Sequence, residues 1–189
     1  MEHYPLSIRG ARKDDLSAAR RICEETASIP SETDAQRLFL QLVYCDPYIE
    51  TQTEHCFVAV DQQDHPLGYI LCAPDTKAFL RLYRLEYLPR IDSLGLLFAF
   101  QGRFAQTVHA ALAGKYAAHL HIDLSEEARH LGIGSALMNR LKSHLNSIGV
   151  HTLFLSCDGK NENAVRFYLR NGFSIKASLF GMKIMICHF

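Results

Sequence analysis

Arg129-His130-Leu131-Gly132-Ile133-Gly134 is the stretch whose reading decides the fold of this chain. It lies between an apolar run over residues 118–124 and a helical pattern over residues 135–148. A strand, a glycine-bearing turn and a helix start together form an anion-binding device, because backbone N–H groups at the helix start point outward and a glycine lets a ligand approach with no Cβ in the way. Arg129 adds a fixed positive charge beside Gly132 and Gly134. Each oriented amide or charge at a helix start contributes about 0.3–1 kcal/mol, so several acting together hold a pyrophosphate. A lone Gly-x-Gly equally suits the plain end of a loop, and the flanking chain has to decide.

Outward from the turn, strand and helix patterns succeed one another. Leu6-Ser7-Ile8-Arg9 alternates as a strand does, and Asp14 or Asp15 caps a helix carrying Leu16, Ala19, Ile22 and Cys23. Pro30-Ser31-Glu32 opens a second helix with Leu38, Leu42 and Cys45 on one face, and Asp46-Pro47 stops it. Residues 56–60 and 67–72 flank the turn-like 61–66 and read as an antiparallel hairpin. Residues 75–114 read as a helical insertion: a helix from Asp75 to about Tyr87, an apolar stretch from Leu94 to Phe100, and a helix over 104–112.

In the run 118–124, Leu120, Ile122 and Leu124 take one face while His119, His121 and Asp123 take the other. Ile133, Leu137, Leu141, Leu145 and Ile148 keep helical spacing up to Gly149. A strand over 152–157, a short helix over 161–170 with Asn163 as its cap, and strands over 173–177 and 182–187 complete the chain. The order is that of an α/β protein with a mixed sheet.

A chain of 189 residues with 48% hydrophobic composition is long enough for one well-buried core and short for two, so residues 1–189 read as a single domain. Twenty Lys and Arg balance twenty Asp and Glu, which argues against a nucleic-acid or anionic-membrane partner. No stretch reaches the ~18 apolar residues of a membrane span, and Met1-Glu2-His3-Tyr4-Pro5 lacks the character of a signal peptide, so the expected location is cytoplasmic. The six cysteines contain no Cys-x-x-Cys pair, and most read as buried thiols.

Two motifs in order carry a resemblance to the GNAT superfamily of N-acetyltransferases. The first is Arg129-His130-Leu131-Gly132-Ile133-Gly134 after its apolar strand, which fits the Arg/Gln-x-x-Gly-x-Gly/Ala pattern for acetyl-CoA. The second is Asn161-Glu162-Asn163-Ala164-Val165-Arg166-Phe167-Tyr168, followed by Gly172-Phe173, which fits Asn-x-x-Ala-x-x-x-Tyr. Motif agreement is confined to about residues 120–173. The implied fold is a mixed, mostly antiparallel central sheet with helices on both faces, here with a helical insertion between the third and fourth strands where typical members have a tight turn. Within that departure, Asp46-Pro47-Tyr48, Gly68-Tyr69, Asp75-Thr76 and Phe79 look similar to the acetyltransferase-like domain of O-GlcNAc hydrolases.

The resemblance implies acetyl-CoA as cofactor. Backbone amides from Leu131 through Gly132, Ile133 and Gly134 to Ser135 hold the pyrophosphate, with Arg129 and His130 beside it, and Ile122 and Leu124 bond the pantetheine arm. Asn161, Ala164, Phe167 and Tyr168 close the site from the other side. Tyr168 occupies the family's position for protonating the departing thiolate. The implied reaction is acetyl transfer to a primary amine of a small molecule or peptide by direct attack.

Asp123 is the candidate base. His119 and His121 share its face, and a metal at His119-x-His121-x-Asp123 has no other support. Tyr83, Glu86 and Tyr87 on the insertion, with Tyr44 and Tyr48, are candidate acceptor contacts, against the alternative of ordinary helix faces. A homodimer through residues 94–100 stays open. Two other functions compete. One is a catalytically silent CoA-binding module, motivated by the O-GlcNAc-hydrolase-like region. The other is a nucleotide-binding domain, for which the Gly-x-Gly-x-x-Gly spacing is missing.

Overall fold

A computed structural model describes residues 6–27 and 31–189. The readings placed on Met1 to Pro5 and on Pro30 lie outside the described residues. Among the described residues seven strands form one sheet in the order β1-β2-β3-β4-β5-β7-β6. They are β1 (Ser7–Gly10), β2 (Phe57–Val60), β3 (Pro66–Ala73), β4 (Ala118–Leu124), β5 (Thr152–Asp158), β6 (Ser174–Leu179) and β7 (Met182–His188). Only β4 and β5 pair in parallel, and the other pairs are antiparallel. The sheet is thus mixed and mostly antiparallel, with helices on both faces.

Strand alternation divides the core into two layers. Val58, Val60, Tyr69, Leu71 and Ala73 face a cluster with Ala19, Ile22 and Cys23 of α1 (Leu16–Thr26) and Phe39, Leu42 and Val43 of α2 (Asp34–Tyr44). The alternate residues Phe57, Ala59, Ile70, Cys72, Leu120, Leu153 and Leu155 face Leu137, Met138, Leu141 and Leu145 further along the chain.

α2 opens at Asp34, later than the proline-led start expected. Thr33 and Gln36 form a reciprocal cap: Gln36 N–H donates to Thr33 Oγ1 at 3.2 Å and Thr33 N–H donates to Gln36 Oε1 at 2.9 Å. The box satisfies backbone donors that the first turn of a helix otherwise leaves open. Asp46-Pro47 ends α2 but also begins a further helix, α3 (Asp46–Thr51), since proline in a first turn forfeits no hydrogen bond.

Asp46 is fully buried, and Arg20 grips it with two hydrogen bonds of 2.8 Å. Removing one partner of a buried pair costs about 3–5 kcal/mol. Arg20 keeps a third of its surface in water, which lowers that cost. Asp46→Ala is therefore expected to lose about 2 kcal/mol in guanidinium unfolding. Unchanged stability would show that the pair contributes nothing net.

The insertion starts with α4 (Thr76–Leu82), which runs through a wide π turn over Tyr83–Tyr87 into α5 (Leu88–Asp92). The first helix is thus longer than the sequence pattern implied. Pro89 accounts for the wide turn, because it lacks the N–H that an α-helical ladder needs there. Phe79, Tyr83 and Tyr87 stack in sequence and are buried. α6 (Leu96–Ala105) and α7 (Thr107–Leu112) follow.

Leu94 and Phe98 pack on the core while Leu96 and Phe100 face solvent, so the apolar stretch serves both. Thr76 closes the base of the insertion, its N–H and its hydroxyl both donating to Ala117 O at 2.8 Å. The last helices are α8 (Ile133–Ser147), ended by Gly149, and α9 (Glu162–Arg170). Among the described residues no helix is long and apolar enough to cross a membrane.

Candidate functional site

β4 pairs with β3 over its whole useful length, from Ala73 opposite His119 to Gly68 opposite Leu124. Its parallel pairing with β5 stops after Ala118 and His119, and beyond them the two strands splay. Ser125 N–H donates to Leu67 O at 2.8 Å. The antiparallel alternation set by that bond turns the backbone groups of Leu120, Ile122 and Leu124 away from β3 and into the splay. A strand edge is left open where a linear ligand can pair.

The turn after β4 adds a concave run of amides. His130 (φ 64°) and Gly132 (φ 78°) both lie in the left-handed region, and alternation of this kind builds an anion-binding nest. Gly132 is the N-cap of α8, and a Cβ there would meet nothing within 4 Å, so its environment is open to a ligand. Gly134 is different. A Cβ there would lie 3.0 Å from the ring of Phe167, so this glycine chiefly admits α9 against α8. Both glycines line the cleft that the turn borders, but only at Gly132 is the space beside the Cα empty of other protein atoms.

A cleft of about 940 Å³ fills the splay and the turn. Ile122, Asp123 and Leu124 of β4 line it, as do Arg129, His130, Gly132, Ile133, Gly134 and Ser135 of the turn and α8. Asn161 and then Ala164, Phe167 and Tyr168 of α9 line the opposite wall. Leu131 is exposed and points away from this lining. Thr26, at the end of α1, also lines the cleft, so it passes through the sheet from one face to the other.

Arg129 lies folded back across the strand end, its Nε–H donating to Leu124 O at 3.2 Å. The cap of α9 is Asn161, whose Oδ1 accepts from Ala164 N–H at 3.0 Å, rather than Asn163. Asn163 instead accepts from Arg166 at 2.7 Å.

Tyr168 is buried edge-on to Phe167 and Phe173, with ring centroids 5.2 and 5.6 Å away. Burial, with the charge of Asp123 adding to it, pushes its phenol well above the usual range, which keeps it a proton donor. Asp123 accepts a 2.7 Å hydrogen bond from the Tyr69 hydroxyl. Burial raises its carboxyl pKa and outweighs that bond, which pulls the other way.

The two histidines on the same strand face separate. His119 is fully buried: the Tyr48 hydroxyl donates to its Nε2, and its Nδ1 meets Thr76 Oγ1, both at 2.8 Å. Because Thr76 Oγ1 already donates to Ala117 O, the proton in the Thr76 contact belongs to His119 Nδ1. His109 of α7 stacks on His119 with centroids 4.2 Å apart, a pairing that no local sequence pattern announced. Burial lowers His109 to about 3 and His121 to about 4, and takes His119 well below its ordinary value.

His119 is therefore a structural group, and among the described residues no cluster of three ligands fits a metal. Tyr48, Tyr83 and Tyr87 are core residues and Glu86 faces solvent, and none of the four lines either cavity. Tyr44 and His121 line a second cavity, on the α2 side of the sheet.

Residues 17–173 match the Acetyltransferase (GNAT) family. Among solved structures, that of SsHAT is 26% identical, with 97% of this chain and 98% of that chain covered at a TM-score of 0.84. The PaiA N-acetyltransferase from Thermoplasma acidophilum, in complex with coenzyme A, is 16% identical over 97% of this chain and 99% of that one, with a TM-score of 0.62. YncA from Salmonella typhimurium, a putative acetyltransferase solved with its cofactor acetyl-CoA, is 16% identical over 97% and 93%, with a TM-score of 0.60.

Proposed function

Because this chain belongs to the acetyltransferase (GNAT) family, we propose that it transfers an acetyl group from acetyl-CoA to a primary amine of a small molecule or peptide by direct attack. The observation that carries the reading is the cleft through the β4–β5 splay, where an open strand edge, an amide nest and a buried phenol meet. The cradle suits the cofactor: Gly132 is clear of neighbours, and the groups of Ile122 and Leu124 face the opening.

In this reading the backbone from Leu131 to Ser135, with Arg129 and His130, holds the pyrophosphate. Ile122 and Leu124 bond the pantetheine amides, and Asn161, Ala164 and Phe167 close the far wall. Bound acetyl-CoA supplies an activated thioester. A lysine-like amine of pKa ~10.4 costs about 4.6 kcal/mol to deprotonate at pH 7, and Asp123, its carboxyl raised by burial, is the base at the cleft. Tyr168 donates the proton that the departing sulfur needs.

Residues 1–189 are taken as a single acetyltransferase domain with 75–114 inserted. The finer likeness, to the acetyltransferase-like domain of O-GlcNAc hydrolases, rests on the residues Asp46-Pro47-Tyr48, Gly68-Tyr69, Asp75-Thr76 and Phe79. The reading places the chain in the cytoplasm, in keeping with free thiols at Cys23, Cys45, Cys56, Cys72 and Cys187, and with partners that are amines rather than nucleic acids or membranes. It leaves room for a homodimer through the exposed face of α6.

The decisive experiment measures CoA affinity by calorimetry alongside thiol release over a broad amine panel. CoA binding with release on at least one amine is expected. Binding without release on any amine would replace the enzyme with a silent CoA-binding module. Gly132→Val, strained at φ 78° and intruding on the nest, is expected to weaken CoA binding about tenfold. Unchanged affinity would remove the pyrophosphate assignment.

A further inference from the structure

The second cavity, about 470 Å³, lies on the opposite face of the sheet from α8 and is roofed by α6 and α7 of the insertion. Its placement matters more than its size. On β4, His121 lines this pocket and the next residue, Ile122, lines the cleft. On β5, Ser156 lines the pocket and the next residue, Cys157, lines the cleft. The two cavities therefore lie back to back across the one place where β4 and β5 part.

We propose that this pocket receives the acceptor, and that the acceptor is a primary amine on a compact aromatic or branched aliphatic body carrying no second charge. The inference rests on the acetyl-transfer reading above. Phe39, Tyr44, Phe98, Phe104 and Val108 give the walls, and no Asp, Glu, Lys or Arg is among the lining residues. The volume falls in the range of small-molecule sites, about 300–1,000 Å³. A second ammonium, as on a polyamine or a basic peptide, would lose its hydration here with no carboxylate to replace it.

The amine end has a different environment. His121 and Asp123 follow each other on one strand face, about 7 Å apart, and Asp123 lines the cleft. His121 is lowered to about 4 by burial, so at neutral pH it is an uncharged imidazole able to accept a hydrogen bond from the amine. Its ring is held edge-on by Tyr44 and Tyr48, with centroids 5.4 and 5.3 Å away. The body of the acceptor thus faces aromatic walls, and its nitrogen faces the splay.

The test is a ligand-detected NMR titration of 2-phenylethylamine and of spermidine against the whole protein, with CoA affinity measured on the same samples. Saturable binding of 2-phenylethylamine is expected, with spermidine at least about tenfold weaker. Two variants fill the pocket: Val108→Trp from the wall and Gln101→Trp from the exposed rim, the second keeping the test alive should the first fail to fold. Each is expected to weaken 2-phenylethylamine about tenfold or more while CoA affinity stays unchanged.

Tighter binding of spermidine, 2-phenylethylamine affinity unmoved in both variants, or a wild-type dimer that covers the pocket and excludes the probe would each overturn the proposal. Variant-sensitive probe binding without thiol release on any amine would support the pocket and overturn acetyl transfer alone.

Discussion

Acidifying the protein from pH 7 to pH 5 is expected to lower its unfolding free energy by about 4 kcal/mol, and its Tm by about 10 °C. The cause is the stack of His109 on His119, both buried and both held far below the ordinary histidine value. In the unfolded chain each titrates near 6.5, whereas in the native state each is still neutral at pH 5. A group depressed by folding contributes fully above its unfolded pKa, and that contribution drains away as pH falls below it. At pH 5 the gap is about 1.5 units, close to 2 kcal/mol for each histidine.

His121, His55 and His144 are lowered too and act in the same direction. Among the described residues the opposing group is Asp123, whose raised carboxyl favours the folded state as pH falls. Asp15, Asp61, Asp64 and Asp92 are held low by arginines and backbone donors, so their contributions change only below about pH 4. Guanidinium unfolding at pH 5, 6 and 7 checks the slope. A flat profile would mean that the histidine stack accepts protons while folded. His109→Phe, which keeps a ring in the stack but removes one titrating group, is expected to reduce the loss between pH 7 and pH 5 by about 2 kcal/mol.

Tyr168→Phe is expected to reduce turnover about 100-fold with CoA affinity unchanged. The hydroxyl is the only part removed, and the ring keeps its edge contacts with Phe167 and Phe173. The value lies at the lower end of general-acid effects because a thiol of pKa about 8.5 departs fairly readily unaided. Parallel turnover and calorimetric measurements decide the matter. Turnover equal to the wild type would make Tyr168 a packing residue, and a matching loss of CoA affinity would make it a binding group.

The sequence made the sheet readable because strand alternation and helix spacing are local signals, and each strand from Ser7–Gly10 to Met182–His188 was found to within a few residues. The cleft was readable for the same reason: its turn and its α9 wall are contiguous motifs. Other features depended on contacts distant in sequence. His109 meets His119 only once the insertion folds over β4, and the fully buried Asp46 reads as a helix stop until Arg20 is placed beside it. Gly134 looked like its neighbour Gly132, and Phe167, thirty-three positions away, gives it a different purpose. The Thr33–Gln36 box was a local signal overshadowed by the proline before it.

Thr76, at the start of the insertion, is bonded to Ala117, just before β4, while Ala73 and His119 are already paired in register. The two ends of the excursion therefore meet at a closed neck. The neck does not make residues 75–114 a free appendage: Phe79, Tyr83, Tyr87 and Ile91 share a core with Tyr69, Leu71 and Ala73 of β3, and His109 stacks on His119 of β4, so a change in the inserted helices is felt by the strand that carries the cleft.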